Sequence, residues 1–167
     1  MQITSDTDYA LRVLLYLAMT PNRQANITEI SDFFNISRNH LVKIVHQLGS
    51  KGFVKTTRGK GGGLSLQRPP EMINIGELVR SMENHFNWVE CFDPTQQNCR
   101  LLPACGLKQL LARAGDAYLQ MLDAATLADA ALGTTPVEVA QSEAPATAHS
   151  ECNQNQSLTT ETQENNL

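Results

Sequence analysis

The sequence predicts a mainly α-helical fold, and three observations support this prediction. Apolar residues recur at helical spacing over residues 11–18, 41–48 and 107–122. A single segment, residues 53–66, has the pattern of two short strands joined by a glycine-rich turn. Residues 33–70 contain seven Lys and Arg and no Asp or Glu. We therefore expect a helical body that carries one basic hairpin.

The first two helices have start and stop signals. Ser5 followed by Asp8 resembles a capping box with Asp in place of Glu, and the apolar periodicity that follows stops at Pro21. Thr28 is expected to open a short second helix, which Asn35 interrupts.

The third helix is predicted to start at the cap residue Ser37 and to end at Gly49 and Gly52. Two short helices joined by a tight turn are typical of a helix-turn-helix, whose second helix presents its N-terminal side chains to base edges. The predicted DNA contacts on this helix are Ser37, Arg38, Asn39, His40 and Lys43. His46 is more simply a surface residue.

The hairpin completes a winged helix-turn-helix DNA-binding domain, expected to span residues 1–84. Its tip, RGKGGG, is flexible and cationic, and Arg58 and Lys60 are predicted to contact DNA phosphates from this two-stranded wing. A nucleotide-binding loop does not fit, because Lys60 is followed by Gly61 and not by the Ser or Thr that would hold magnesium.

Asn74 is predicted to cap a short helix, after which Trp88 is expected to be a packing anchor. A long C-terminal helix over residues 107–132 bears an apolar stripe of Leu107, Leu110, Leu111, Ala114, Tyr118, Met121 and Leu122. This helix is expected to mediate homodimerisation, which would match a pseudo-palindromic operator in double-stranded DNA. Packing of the stripe on the first helix is the alternative.

Three cysteines mark a candidate metal site in the loop of residues 85–106. Cys91, Cys99 and Cys105 are three of four cysteines in the chain, and their C-x7-C-x5-C spacing suits three ligands of an iron–sulfur cluster or a zinc ion. Ordinary reduced thiols are the alternative. The N-terminal residues lack a secretory signal pattern, which favours a reducing cytoplasm over secreted disulfides.

Composition separates a body from a tail. Residues 133–167 contain five Glu, no Lys or Arg and no aromatic residue, which predicts an acidic, disordered tail whose Cys152 has no ligand role. Without this tail, thirteen basic residues face twelve acidic ones, although the whole chain has a net charge of −4. No apolar run approaches the roughly 20 residues of a membrane span.

Five segments together resemble the NsrR nitric-oxide-sensing repressors, within the wider family of iron–sulfur winged-helix regulators. They are MQITSDTDYALRVLLYLA, ISRNHLVKIVHQL, TTRGKGGGLSL, NIGELVR and LLPACGLKQLL, and they occur in order over about residues 1–132. The resemblance implies a homodimeric repressor that binds DNA with its cluster intact and releases it when nitric oxide attacks the cluster. Nitric-oxide detoxification genes are then derepressed.

The resemblance also implies a set of ligands. The thiolates are Cys91, Cys99 and Cys105, the cluster is 4Fe–4S with 2Fe–2S as the alternative, and the fourth ligand is Asp8, donated across the dimer. A helix N-terminal carboxylate that only satisfies backbone donors is the other interpretation of Asp8. The iron–sulfur assembly regulators use a histidine where this sequence has Lys108. The seven-residue gap after Cys91 is longer than is usual in the family.

Three classes of function follow. The first is the cluster-dependent repressor, in which loss of the cluster lets the first helix shift against the recognition helix. The second is a redox- or iron-sensing regulator of the assembly type, or a DNA binder that uses zinc or thiols. The third, a metalloenzyme, lacks a motif-spaced base or nucleophile beside the cysteines, so no enzyme activity is expected.

Overall fold

The structure is a computed structural model of the chain and describes residues 3–59, 62–96, 98–102 and 104–132. The predicted acidic tail, including Cys152, lies outside the described residues, as does Lys60 of the wing. The described part contains helices and one two-stranded sheet, which confirms the mainly α-helical class. The elements in chain order are α1 (Ser5–Met19), α2 (Ile27–Phe34), α3 (Arg38–Ser50), β1 (Val54–Thr57), β2 (Gly63–Leu66), α4 (Ile75–Met82), α5 (Gly106–Asp123) and α6 (Leu127–Ala131).

Helix α1 is capped by Thr4, so the predicted capping box at Ser5 was wrong by one residue. The Thr7 backbone N–H donates to Thr4 Oγ1 at 3.3 Å. The Thr4 hydroxyl and backbone N–H also donate to Glu83 Oε1, each at 2.9 Å. Glu83 follows α4 directly and lies 79 residues away along the chain from Thr4. Its hydrogen bonds favour Thr4 over Ser5 as the cap of α1.

Helix α2 begins one residue earlier than predicted, because Asn26 caps it. The Glu29 backbone N–H donates to Asn26 Oδ1 at 2.8 Å, and the Glu29 carboxylate accepts from the Asn26 backbone N–H at 3.4 Å. This reciprocal capping box outcompetes a start at Thr28. Asn35 ends the helix in the left-handed conformation with φ 52°, as its interrupting position predicts.

Helix α1 lies at the centre of the core and contacts α3, α4 and α6. Fully buried apolar side chains come from each of these helices: Ala10, Val13, Leu14, Leu41, Ile44, Leu48, Leu78, Val79 and Leu127. The short α6 is held there by a backbone hydrogen bond of 2.8 Å from Leu127 N–H to the carbonyl of Ile73. The helix-turn-helix is therefore supported directly by the N-terminal helix.

The wing is anchored to the body through its second strand. Strands β1 and β2 are antiparallel, with Val54 opposite Leu66 and Thr57 opposite Gly63. Leu64 exchanges two backbone hydrogen bonds, of 3.0 and 2.7 Å, with Ala25 in the segment between α1 and α2. A Cβ at Gly63 would lie 2.6 Å from the Ala25 carbonyl oxygen, so this close approach requires glycine.

Helix α5 packs on α4 and on Trp88, which precedes the first cysteine of the loop. Arg80 forms a bidentate ion pair with Asp123, including one hydrogen bond of 2.6 Å. Trp88 packs edge-on against Tyr118, with ring centroids 6.1 Å apart, and covers Gly115. This contact confirms Trp88 as a packing anchor. None of the eighteen residues of α5, all of them described, is buried.

Part of the apolar stripe of α5 faces solvent in the single chain, whereas Leu111, Tyr118 and Leu122 are half-buried. Leu107, Leu110 and Met121 are 62%, 54% and 73% exposed. Packing on α1, the intramolecular alternative, does not cover these side chains. Among the described residues, no helix is both long and apolar enough to cross a membrane.

Candidate nucleic-acid interface and metal-ligand loop

Helix α3 has one buried and one exposed face. Leu41, Ile44, Val45 and Leu48 are buried against the core, which sets the rotation of the helix. The predicted contact residues Arg38, Asn39 and Lys43 are exposed on the opposite face. Ser37 is exposed at the N-cap position, and no capping hydrogen bond to its hydroxyl is found in the described part of the helix.

Two further side chains share this exposed face. Val42 is 42% exposed and His46 is exposed one turn later. The sequence prediction did not include Val42, although its place between buried Leu41 and exposed Lys43 on a helical wheel could have indicated it.

His40, in the first turn of α3, is half-buried against α1. Its Nε2 is 2.7 Å from Asp6 Oδ1, and its ring packs edge-on against Tyr9, with ring centroids 4.9 Å apart. These contacts connect the first turns of the two helices. The proposed role of His40 in contacting DNA stays a prediction, and its role in joining the helices was not foreseen.

The basic residues of residues 33–70 divide into two groups. Lys55 and Arg58 are exposed on the wing, and Lys51 is exposed just before it. Arg68 instead forms an ion pair with Glu77 at 3.0 Å and lies over the Phe53 ring, 5.0 Å from its centroid. Arg68 is therefore committed to packing, and the sequence alone did not separate it from the others.

The exposed basic side chains remain available for an anionic partner. Within the described ranges, no carboxylate lies within ion-pairing distance of Arg38, Lys43, Lys55 or Arg58. The recognition helix and the wing thus present a positive surface, and residues 33–70 contain no acidic residue that would neutralise it. Such a surface suits the negatively charged phosphate backbone of DNA.

The three cysteine thiols are free and belong to one loop. Cys91 lies in a 3-10 turn, Glu90–Phe92, Cys99 is exposed, and Cys105 occupies the N-cap position of α5. An anionic ligand at Cys105 faces the partial positive charge of the α5 N-terminus. Among the described residues, no three His, Cys, Asp or Glu side chains are gathered closely enough to hold a metal ion.

A turn built on Asp93 takes up part of the long gap after Cys91. The Thr95 backbone N–H and hydroxyl donate to Asp93 Oδ1 at 2.8 and 2.6 Å. These bonds lower the pKa of the Asp93 carboxyl. The Asp93 turn therefore shortens the path of the chain between Cys91 and Cys99.

Asp8 is partly exposed on α1 and is paired with Arg12. Arg12 donates to both carboxylate oxygens, at 3.1 Å and 2.8 Å. The guanidinium also lies 5.9 Å from the centroids of the Tyr9 and Phe34 rings. Asp8 is thus accessible, but it would have to leave or share Arg12 to bind a metal.

Glu83 joins the start of α1 to the chain just before the cysteine loop. Burial raises the pKa of its carboxyl, but hydrogen bonds from Thr7 and Thr4 outweigh this effect and lower the pKa overall. Glu83, which lies two residues before His85, is therefore a stable anionic acceptor. It holds the N-terminus of α1 in place.

The donor chemistry of this region fits an iron–sulfur cluster. Three free thiols on a short loop are soft ligands for iron, and the partly exposed carboxylate of Asp8 on α1 is a candidate fourth ligand. The types of donor atom fit a cluster, but their positions do not, because the loop does not bring the three thiols together in the single chain.

The short helix α2, the exposed face of α3 and the basic hairpin define a winged helix-turn-helix DNA-binding protein. CymR, the global cysteine regulator of Bacillus subtilis, has a similar structure, with a TM-score of 0.66 and 27% identity over 79% of this chain and 97% of CymR. The chain belongs to the Rrf2 family of iron-dependent transcriptional regulators, whose pattern matches residues 3–132.

Two relatives are similar over nearly the same region. The HTH-type transcriptional regulator NsrR of Bacillus licheniformis is 49% identical over 130 residues, which are 77% of this chain and 91% of the relative. The regulator of the same name from Bacillus subtilis is 50% identical over 130 residues, 77% of this chain and 89% of the relative. The chain is thus an NsrR-type transcriptional regulator of this family and not an enzyme.

Proposed function

We propose that this protein is a homodimeric repressor that binds operator DNA while it holds an iron–sulfur cluster and dissociates when nitric oxide reacts with that cluster. The observation that supports this most is that the three-cysteine loop occurs in a chain about half identical to two NsrR regulators. The genes released from repression would be those of nitric-oxide detoxification, and the protein would act on DNA in the cytoplasm.

The proposed ligands are Cys91, Cys99 and Cys105 of one subunit and the partner subunit's Asp8. The cluster, 4Fe–4S or alternatively 2Fe–2S, supplies iron that reacts with nitric oxide. In this scheme the three thiols of the cysteine loop would hold the cluster, and the Asp8 carboxylate would leave Arg12 to bind iron. The exposure of Asp8 and the absence of disulfides at the three thiols are compatible with both steps.

The contacts of α1 suggest how the ligand state reaches the DNA-binding surface. Asp8 and Asp6 belong to the same first turn, and Asp6 binds His40 of the recognition helix. A shift of this turn when Asp8 changes partner therefore moves the start of α3. DNA affinity would fall without loss of any side chain that contacts DNA.

DNA binding is proposed to use two copies of the same surface. The two α3 helices would enter successive major grooves of a pseudo-palindromic operator, with Arg58 and Lys60 of each wing against phosphate. The exposed stripe of α5 is proposed to hold the two copies together, because exposed apolar side chains at helical spacing are stabilised by burial against a second copy.

The test is operator binding by anaerobically purified full-length protein during titration with nitric oxide. The operator is first selected from random duplexes, and iron and sulfide are assayed on the same sample. Iron bound with sulfide and a loss of binding that follows the nitric oxide added would support the proposal. Stoichiometric zinc with unimpaired binding would instead support a zinc or thiol DNA binder.

A further inference from the structure

Val42 occupies the middle of the exposed face of α3. Residues four apart lie on the same side of a helix, so Val42 lies between Arg38 and His46, with Lys43 beside it. The buried Leu41 and Ile44 fix the rotation of the helix and hold Val42 outward, 42% exposed. Rotation of α3 to bury Val42 would expose these two side chains.

We infer that Val42 contacts the 5-methyl group of a thymine in the operator, an inference that rests on the proposed DNA-binding function. Of the groups that base pairs present in the major groove, the thymine methyl is the one apolar contact point. An aliphatic side chain on the recognition face therefore has a specific complement there, whereas its neighbours Arg38, Asn39 and Lys43 suit phosphates and polar base edges.

The surroundings favour DNA over a protein as the occupant of this face. Residues 33–70 contain no Asp or Glu, so a second copy docked on the same face would bring like charges together. DNA neutralises Arg38 and Lys43 while it covers Val42. The exposed apolar side chains of α5 belong to a different element and are assigned to the dimer.

The experiment replaces each thymine of the selected operator, one position at a time, with deoxyuridine. This change removes the methyl group and leaves every hydrogen-bonding group of the base in place. We take the free energy of the methyl contact to be about that of one buried methylene. The operator affinity of the wild-type protein should then fall about fourfold when the thymine of one half-site is replaced and about fifteenfold when both are replaced. The fall should occur at one symmetric position.

Three variants assign that effect to Val42. Val42→Ala should bind the normal operator about as weakly as the wild type binds the substituted one, and should be insensitive to deoxyuridine at that position. Val42→Ile and His46→Ala should both keep the sensitivity. Because Val42 is exposed, Val42→Ala should leave the thermal unfolding midpoint of the protein unchanged. This measurement checks that the variant is folded.

The outcomes separate the inference from the function on which it rests. If an operator is selected but no thymine shows a Val42-dependent methyl effect, the thymine contact is overturned and the DNA-binding function stands. If the full-length protein, with its iron and sulfide verified, selects no operator, both are overturned.

Discussion

His40 Nε2 lies 2.7 Å from Asp6 Oδ1, and this contact joins the first turn of α3 to the first turn of α1. The Tyr9 ring packs against His40 from the same helix. A residue chosen from the sequence for its place at the start of the recognition helix therefore also links that helix to the segment that bears Asp8. The proposed signal from ligand to DNA depends on this link.

Replacement of Asp6 should uncouple the two helices. Asp6→Ala removes a partly exposed contact worth about 0.5–1 kcal/mol, so the unfolding free energy should fall by that amount. The ratio of operator affinities between cluster-loaded and cluster-free protein should shrink, as measured by fluorescence anisotropy. Asp116→Ala, an exposed change on α5, is the control. An unchanged ratio in Asp6→Ala would show that the signal takes another route.

Each of the three loop cysteines should be needed for iron. Ser substitution at Cys91, Cys99 or Cys105 replaces a soft thiolate with a hydroxyl, so iron and sulfide per chain should fall sharply after anaerobic reconstitution. Cys152→Ser should retain the wild-type content. Loss of iron in Cys152→Ser, or retention in any of the other three, would contradict the ligand assignment.

Arg38 and Arg68 should behave differently although both belong to the same basic segment. Arg38→Ala should weaken operator binding by about 1–3 kcal/mol and relax base preference, because Arg38 is exposed on α3. Arg68→Ala should instead reduce stability, because it leaves Glu77 unpaired and uncovers the Phe53 ring. Binding isotherms and urea unfolding of both variants provide the comparison. Equal effects on binding would mean that recognition is not centred on α3.

The stripe on α5 should determine the oligomeric state. Met121→Glu or Leu110→Glu places a charge in the proposed interface and should give a monomer by light scattering, with weaker binding to a two-half-site operator. Met72→Glu is the matched control, because Met72 is 66% exposed but lies outside the stripe. A dimer that survives both α5 substitutions would place the interface elsewhere.

Acid should weaken the junction between α1 and α2. A hydrogen bond from Arg23 lowers the pKa of Glu29, and it outweighs burial, which raises that pKa; the Tyr16 hydroxyl adds to the lowering. Because the folded pKa lies below the ordinary value of 4.5, the stabilisation is present above pH 4.5 and is lost as pH falls through the folded value.

Urea unfolding of cluster-free protein at a series of pH values tests this effect. Glu29→Gln should flatten the loss of unfolding free energy below pH 4.5, since the titrating group is gone. Glu71→Gln, at an exposed carboxyl, should keep the wild-type slope. The assignment fails if Glu29→Gln and the wild type lose stability in parallel.

Several elements were predictable because their signals are local. Asn35 and Gly52 adopt positive φ just beyond α2 and α3, as the sequence indicates, although Gly49 lies within α3. Asn74 caps α4 through the Glu77 backbone N–H at 2.9 Å, also as predicted. The starts of α1 and α2 were misplaced, because Thr4 is selected by a distant Glu83 and Asn26 by a box that competes with Thr28.

The sequence by itself determined the helical class, the basic helix-turn-helix with its wing and the three-cysteine loop, since periodicity, turn residues and charge clustering are read within short windows. Only the tertiary structure decided that His40 binds Asp6 and that Arg68 is used in packing. These outcomes depend on which helices meet and at what rotation, and that is set by burial across segments distant in the chain.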